Sequence, residues 1–530
     1  MTVRGSQLYL QDMFDEPADP ADEVSEIAEF FAGCNVLVTG GSGFLGELLI
    51  EKLLRSCTGI KNLYMLLRSK KGKSPEVRFK ELFDNVLFDR LKKEQPNFVQ
   101  KVIIVEGDVG EESLGLSEEN RELLLNSNII FHGAATVRFD EKIRLATNIN
   151  VRGTKQLLLL AREMQNLKAF VHISTAFSQC VVKFIDEIYY KPPIEGDKLL
   201  TLLDVLDDDV LDHMTPALLG KWPNTYAFTK AVAEDTVRRY GKGLPVCIVR
   251  PSIIISTSKE PISGWINNIN GATAVSVGAG VGLLRTIHCD KDKVADIIPG
   301  DYVINNIIAA AWGAGRAEDI NLNIDTLSEL NEEKTDEPPI YNVVSSCQAP
   351  ITWDEYMNKN KFYCKRIPSM KYLWYFGFTF HKNLWMHKIY ILFLHLIPAL
   401  IVDSLAYVSG RKPILWNTYK KIHKLIAVVS YFTTQQWTFR NRRVQKLWER
   451  LRPADRKKFF FSIEEINWDE YWCPYVRGIR LHILKDPLDT LDMARIKYRK
   501  LTIAHYTIST VAVLLLAWAL IAIVRCVTGW

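Results

Sequence analysis

The sequence contains no low-complexity tract and no short internal repeat, which excludes a largely disordered, collagenous or solenoid chain. Its nine cysteines are odd in number and form no C-x-x-C pair or Cys/His ligand spacing. Neither a disulfide framework nor a metal site is therefore expected, and reduced thiols are the reading. Net charge is also small: 66 basic against 61 acidic residues leave +5 over 530, too little to argue for nucleic acid. The first 33 residues lack an apolar core run and an arginine-rich pattern, and instead carry acids such as Asp12, Asp15, Glu16, Asp19, Asp22, Glu23, Glu26 and Glu29. No secretory signal or transit peptide is expected, and residues 1–33 read as an acidic N-terminal segment in the cytosol.

What is present suits a packed protein with more than one core. Short, nearly continuous apolar runs lie at 35–39, 62–67, 101–108, 128–135, 169–175 and 245–252, with helical patterns between them, as at 46–56 and 149–165. Strands of that texture are buried on both faces of a parallel sheet, so a doubly wound α/β domain is predicted over 34–360. Beyond it the texture changes to aromatic and basic clusters with helical spacing, predicting a mostly helical domain over 361–490. Residues 508–524 read ISTVAVLLLAWALIAIV without a charge, directly after Arg495, Lys497, Arg499 and Lys500. That pattern predicts a single membrane-spanning tail over 502–525 with everything upstream on the cytosolic side; the other reading is a buried core helix. The shorter run 390–402, with His395 and Pro398, is open between an interfacial segment, an apolar tunnel wall and a core helix broken at the proline.

Three glycines spaced by three follow the first strand in Thr39-Gly40-Gly41-Ser42-Gly43-Phe44-Leu45-Gly46, and a helical pattern follows them. This arrangement lets the chain turn tightly, approach a pyrophosphate, and pack the helix against the sheet with its N-terminus toward the phosphates. Where an acid would bind an adenosine ribose, the second strand ends instead in Leu67-Arg68-Ser69-Lys70-Lys71. A cation at Arg68 suits a 2′-phosphate, which selects NADPH over NADH. Asp108 is placed to bond the adenine amino group, Val109 to pack on the ring, Ala134 to leave room beneath the cofactor, and Pro251 closes the set.

Tyr226 and Lys230 stand four residues apart, on one helix face. The expectation is that Lys230 lowers the phenol's pKa and bonds the nicotinamide ribose, leaving Tyr226 to transfer a proton. Thr175, with Ser174 as the less favoured neighbour, supplies a hydroxyl for the substrate carbonyl oxygen. Asn150 is placed to hold the sheet or a relay water.

These motifs resemble the extended short-chain dehydrogenase/reductase superfamily, through TGGSGFLG, the Asp108-Val109 pair, YAFTK and VRPS. Longer phrases narrow the resemblance to the fatty acyl-CoA reductases: LYMLLRSKKG, HGAATVRFDEKI, VHISTAFS, PISGWINNINGA, WTFRNRRVQKLWERL and FFFSIEEINWDEYW. The resemblance implies NADPH-dependent reduction of a long-chain fatty acyl-CoA to a primary alcohol by two hydride transfers, at a membrane and with no metal. A homo-oligomer is compatible with it, and the endoplasmic reticulum is favoured over peroxisome and lipid droplet. The chain departs from the family pattern at Glu47, often a lysine, and Phe177, often a tyrosine, both of which leave the proton donors intact, and at Gly300, often bulkier, where the resemblance implies an altered acyl or CoA passage. A membrane-bound hydroxysteroid dehydrogenase, and more remotely a non-catalytic scaffold, are the alternative readings.

Overall fold

The computed structural model describes residues 24–316 and 337–528. The acids Asp12 to Glu23 of the N-terminal segment lie outside the described residues. Seven parallel strands form the central sheet: β1 (Asn35–Thr39), β2 (Asn62–Leu67), β3 (Val102–Glu106), β4 (Ile129–His132), β5 (Ala169–Ile173), β6 (Val246–Pro251) and β7 (Ile340–Val343). Their order, β7-β6-β5-β4-β1-β2-β3, is that of a doubly wound sheet. Six of the seven are the predicted ones. β7 was not predicted, and it extends the sheet by pairing Ile340 with Ile248 and Val343 with Pro251.

Register brings the strand ends together. Thr39 is opposite both Leu66 and His132, His132 is opposite His172, and Ile173 is opposite Val249. The carboxyl ends of β1, β4, β5 and β6 thus open onto one edge, and the chain reverses direction across the sheet between β1 and β4. Helices α1 (Phe44–Ser56), α2 (Gly153–Glu163), α3 (Thr225–Tyr240) and α4 (Gly300–Gly315) cover the faces. Leu48, Leu53, Ile307 and Ile308 fill one side with Val36, Phe131 and Val171, while Leu157, Leu158 and Val237 fill the other with Leu37, Ile130 and Ile248. Each such side chain, fully buried, stabilises the fold by roughly 1.5–3 kcal/mol.

The C-terminal part is mostly helical: α5 (Trp353–Arg366), α6 (Leu384–Ile391), α7 (Ile397–Val408), α8 (Leu415–Thr433), α9 (Trp468–Gly478) and α10 (Leu491–Thr528). Thr352 starts α5 with a reciprocal cap, its hydroxyl taking the Glu355 amide while Glu355 takes the Thr352 amide. Tyr356, Phe376, Trp472 and Tyr475 pack with Ile255, Ile287 and Ile297, and Leu447, Phe459 and Phe461 join the core beneath α1 and α4. Residues after 360 therefore complete cores begun before it.

The two apolar runs are exposed. Residues 384–408 form one continuous 25-residue helix whose most apolar 18 residues have a mean hydropathy of 2.1, with little of that stretch buried. Pro398 does not break it, because a proline early in α7 fits where residues 392–396 have already shifted the hydrogen-bond pattern. The core-helix alternative for 390–402 is thus overturned. The last apolar span, Leu488–Cys526, contains an 18-residue stretch of mean hydropathy 2.5 with nothing buried, which removes the core-helix alternative there as well. Both are long and apolar enough to associate with a membrane.

Candidate active site

A cleft of about 1410 Å³ runs along the carboxyl edge of the sheet. Of the predicted residues, Gly40, Gly43, Phe44, Leu45, Gly46, Arg68, Asp108, Val109, Ala134, Ser174, Thr175, Tyr226, Lys230 and Pro251 all line it. Thr39 does not. Its hydroxyl is engaged behind the cleft wall, 2.8 Å from His132 Nδ1 and accepting the Ala134 amide at 3.2 Å, so it fixes the distance between the ends of β1 and β4.

The glycine turn is built for close approach. Gly40 has φ +75°, and a Cβ there would lie 2.7 Å from the Ala134 nitrogen. A Cβ on Gly46 would lie 2.2 Å from the Gly40 carbonyl oxygen, so only glycine lets α1 pack onto the turn. Gly43 precedes α1 without a side-chain cap, leaving the first amides of the helix open for an anion. These features fit a dinucleotide pyrophosphate.

At the end of β2 Arg68 donates to Asp108 at 2.7 Å, while the other Asp108 oxygen accepts the Gly110 amide at 3.0 Å. Arg78 joins them, a residue the sequence reading missed. It reaches back from the next helix to donate to the Arg68 carbonyl and to Ser42 of the glycine turn, both at 2.6 Å. Burial, then the charges of Arg68, Arg78 and Lys71, push the Lys70 ammonium down from its ordinary value. The cations are close enough to feel one another, which suits a site for a doubly charged group.

Glu47, in the first turn of α1, also lines the cleft. Burial pushes its carboxyl up to about 8 against a hydrogen bond involving Asn267, and its Oε2 atom has no hydrogen-bond partner. A neutral carboxyl there does not repel a phosphate. Gly300, by contrast, is absent from the cleft wall. It is buried, and a Cβ there would meet Leu48 at 2.9 Å and Phe44 at 3.2 Å. The expected effect on an acyl or CoA passage is thus replaced by one on the packing of α1 against α4.

α3 positions the central pair. Its cap, Asn224, accepts the Ala227 amide at 2.8 Å, and Thr225 donates to the Glu141 carbonyl at 2.9 Å, pinning the first turn. Tyr226 faces the cleft beside Phe139, with ring centroids 5.7 Å apart. Its phenol shares the cleft with the Thr175 hydroxyl. Burial pushes that phenol up to about 12, with the Thr175 hydroxyl opposing, so it is protonated at neutral pH. The expectation that Lys230 would lower it is not met among the protein's own groups. Lys230 is itself brought down to about 8 by burial, against the pull of Glu234, and donates to the Ile173 carbonyl at 2.8 Å.

Ser174 turns away from Tyr226. Its hydroxyl donates to Glu234 at 2.6 Å, in a buried cluster where Arg250 reaches the same carboxylate at 2.7 and 2.8 Å and Ser178 at 2.9 Å. Asn150 lies in a wide helical turn before α2. It donates to Thr229 of α3 at 2.9 Å and accepts the Thr136 amide at 3.0 Å, which ties a cleft-lining loop to α3. The remaining wall comes from far along the chain: Ile287, Cys289, Met357, Phe380 and, on α8, Val429 and Phe432.

Residues 38–307 match a nucleotide-binding family, NAD_binding_4, described as male sterility protein, and residues 394–486 match a second family, Sterile, under the same description. The chain is 38% identical over 526 residues to fatty acyl-CoA reductase wat of Drosophila melanogaster, covering 99% of this chain and 98% of that one. It is 38% identical to human fatty acyl-CoA reductase 1 over 491 residues, 92% of each chain. The chain belongs to the fatty acyl-CoA reductase family. This reductase is accordingly an oxidoreductase with a nicotinamide-binding domain. Two solved structures share the fold: the terminal R domain of the myxalamid pathway (20% identity, 86% of this chain and 93% of that one, TM-score 0.52) and the R domain of a Mycobacterium tuberculosis peptide synthetase (17%, 90% and 99%, TM-score 0.51).

Proposed function

We propose that the chain reduces a long-chain fatty acyl-CoA to a primary alcohol and CoA with two NADPH, through an aldehyde-level intermediate. One observation supports the reading most. Tyr226 and Thr175 share a single cleft with the glycine turn, the Arg68–Arg78 cations and a wall of apolar side chains.

The nicotinamide, when bound, supplies hydride. Gly40, Gly46 and the open end of α1 hold the pyrophosphate, while Arg68 and Arg78 hold the ribose phosphate. Lys230 binds the nicotinamide ribose from its anchor on Ile173. As charge develops on the thioester oxygen, the Thr175 and Tyr226 hydroxyls donate to it. Collapse of the hemithioacetal oxyanion re-forms the C=O bond of the aldehyde as the C–S bond breaks, and the leaving CoA thiolate takes a proton from solvent. In the second round Tyr226, held protonated by its surroundings, gives its proton to the alkoxide. The apolar wall shields the acyl chain, whose methylenes each favour an apolar environment by about 0.8 kcal/mol.

In this reading residues 34–360 carry the chemistry and residues 361–490 complete the apolar wall. Residues 502–525 anchor the chain to a membrane, the endoplasmic reticulum first, with the cleft on the cytosolic side. The test is incubation of the detergent-solubilised protein with NADPH and a panel of acyl-CoA thioesters, with lipid products identified by mass spectrometry. Fatty alcohol is expected. Turnover of hydroxysteroids with no reduction of any thioester would overturn the reading.

A further inference from the structure

The helix of residues 384–408 has two unlike faces. Trp385, Phe393, Leu400, Ile401, Leu405 and Val408 are all more than half exposed, and from Phe393 onward they recur at helical spacing. The opposite face is tied down. His395 is fully buried, its Nε2 accepting the Arg285 amide at 2.9 Å and its Nδ1 lying 3.0 Å from His423 Nε2 on α8. His387 Nδ1 lies 3.2 Å from the Thr286 hydroxyl.

Charge around this helix is one-sided. Between residues 382 and 424 there are seven lysines and arginines, of which Lys382 and Lys424 pair with Asp290 and Asp140 and five, Lys388, Arg411, Lys412, Lys420 and Lys421, remain beside a single acid of the segment, Asp403. That carboxylate is already occupied, accepting the Ile414, Leu415 and Trp416 amides at 2.8 to 3.1 Å at the start of α8. An exposed apolar face bordered by cations suits the headgroup boundary of an anionic bilayer.

We infer that the apolar face of residues 384–408 is a second membrane contact, lying in the plane of an anionic lipid surface and separate from α10. A full crossing is incompatible with the ties at His387 and His395. It would also draw the exposed Lys420 and Lys421 of the returning helix, and the Lys424–Asp140 pair, into hydrocarbon. Lying flat, the helix keeps the Lys420 and Lys421 ammoniums near the headgroups. It also sets α8, whose Leu425, Val428, Val429 and Phe432 line the cleft, directly behind the lipid-facing layer. The inference stands apart from the reductase reading, since its readout is lipid contact and not turnover.

The full chain carrying Ile401→p-benzoylphenylalanine, reconstituted into vesicles of phosphatidylcholine and phosphatidylserine, is irradiated and its peptides are weighed. The same probe at Val205, exposed on the helix Gly196–Val205, is the control. Phospholipid mass is expected on the peptide bearing position 401, not on that bearing 205, with a lower yield when phosphatidylserine is omitted. Absence of phospholipid at 401, equal labelling at both positions, attachment only to a second copy of the chain, or a yield indifferent to phosphatidylserine would overturn it.

Discussion

Ser174 and Thr175 are neighbours in sequence whose hydroxyls serve different partners: Ser174 donates to Glu234 at 2.6 Å, while Thr175 accepts the Phe177 amide at 3.3 Å and lines the cleft with Tyr226. In the proposed mechanism the end of β5 thus divides support from chemistry between two adjacent residues. Thr175→Val should lower kcat by about 10²–10³ through loss of one oxyanion donor. Ser174→Ala should cost about 1 kcal/mol of stability and leave kcat near that of the parent. Steady-state rates and urea unfolding on the two variants check the division; equal losses of kcat would refute it.

Behind Ser174, burial alone would raise the Glu234 carboxyl, but Arg250 and the hydrogen bonds from Ser174 and Ser178 outweigh it and hold it below the ordinary carboxylate value. Because the folded value is the lower one, this stability is present above about pH 4.5 and is lost as pH falls below it. Glu234→Leu leaves Arg250 buried without its partner and should destabilise the fold by about 3–5 kcal/mol at neutral pH. Chemical denaturation at pH 7 and pH 4 measures both the loss and its shrinkage in acid.

Glu47 has the opposite sign. Its folded value of about 8 lies above the ordinary 4.5, so its burial penalty is absent in acid, grows as pH rises from 4.5 toward 8, and is complete above that. Glu47→Gln should therefore raise the melting temperature at pH 8.5 and barely move it at pH 5. Loss of stability at both pH values would show that the carboxylate is charged and satisfied.

Arg68 and Arg78 read the ribose phosphate in this account. Arg78→Ala and Arg68→Glu should each raise the KM for NADPH by about tenfold or more, roughly the loss of one charge-assisted bond of ~1.5–3 kcal/mol, with little change for NADH. Nucleotide titrations compare the two cofactors directly. Equal weakening of both would mean that these cations do not face the 2′ position.

Much of this site was legible in the sequence because its parts are local. The glycine turn, the Tyr226–Lys230 spacing and the hydroxyls after β5 each lie within a few residues of a strand whose apolar run is unmistakable. The parts that escaped are those made by distant segments. Arg78 returns to the turn through a basic loop, β7 is a four-residue edge strand at the point where the sequence texture changes, and Phe432 reaches Phe139, itself beside Tyr226, across nearly three hundred residues. The aromatic stretch at 374–380 also divides only in three dimensions: Phe376 is core, whereas Phe380 lines the cleft. The phenol's environment escaped for a related reason, since its rise reflects burial contributed by distant segments while Lys230 is committed to Ile173.

The most direct test of the account is the Tyr226→Phe variant, assayed with NADPH and an acyl-CoA, with alcohol measured by mass spectrometry and nucleotide binding by fluorescence. Alcohol formation should fall by about 10²–10⁴, the scale of a lost proton donor, while NADPH binding is retained. Undiminished alcohol formation by this variant would contradict the assignment of Tyr226 as the acid.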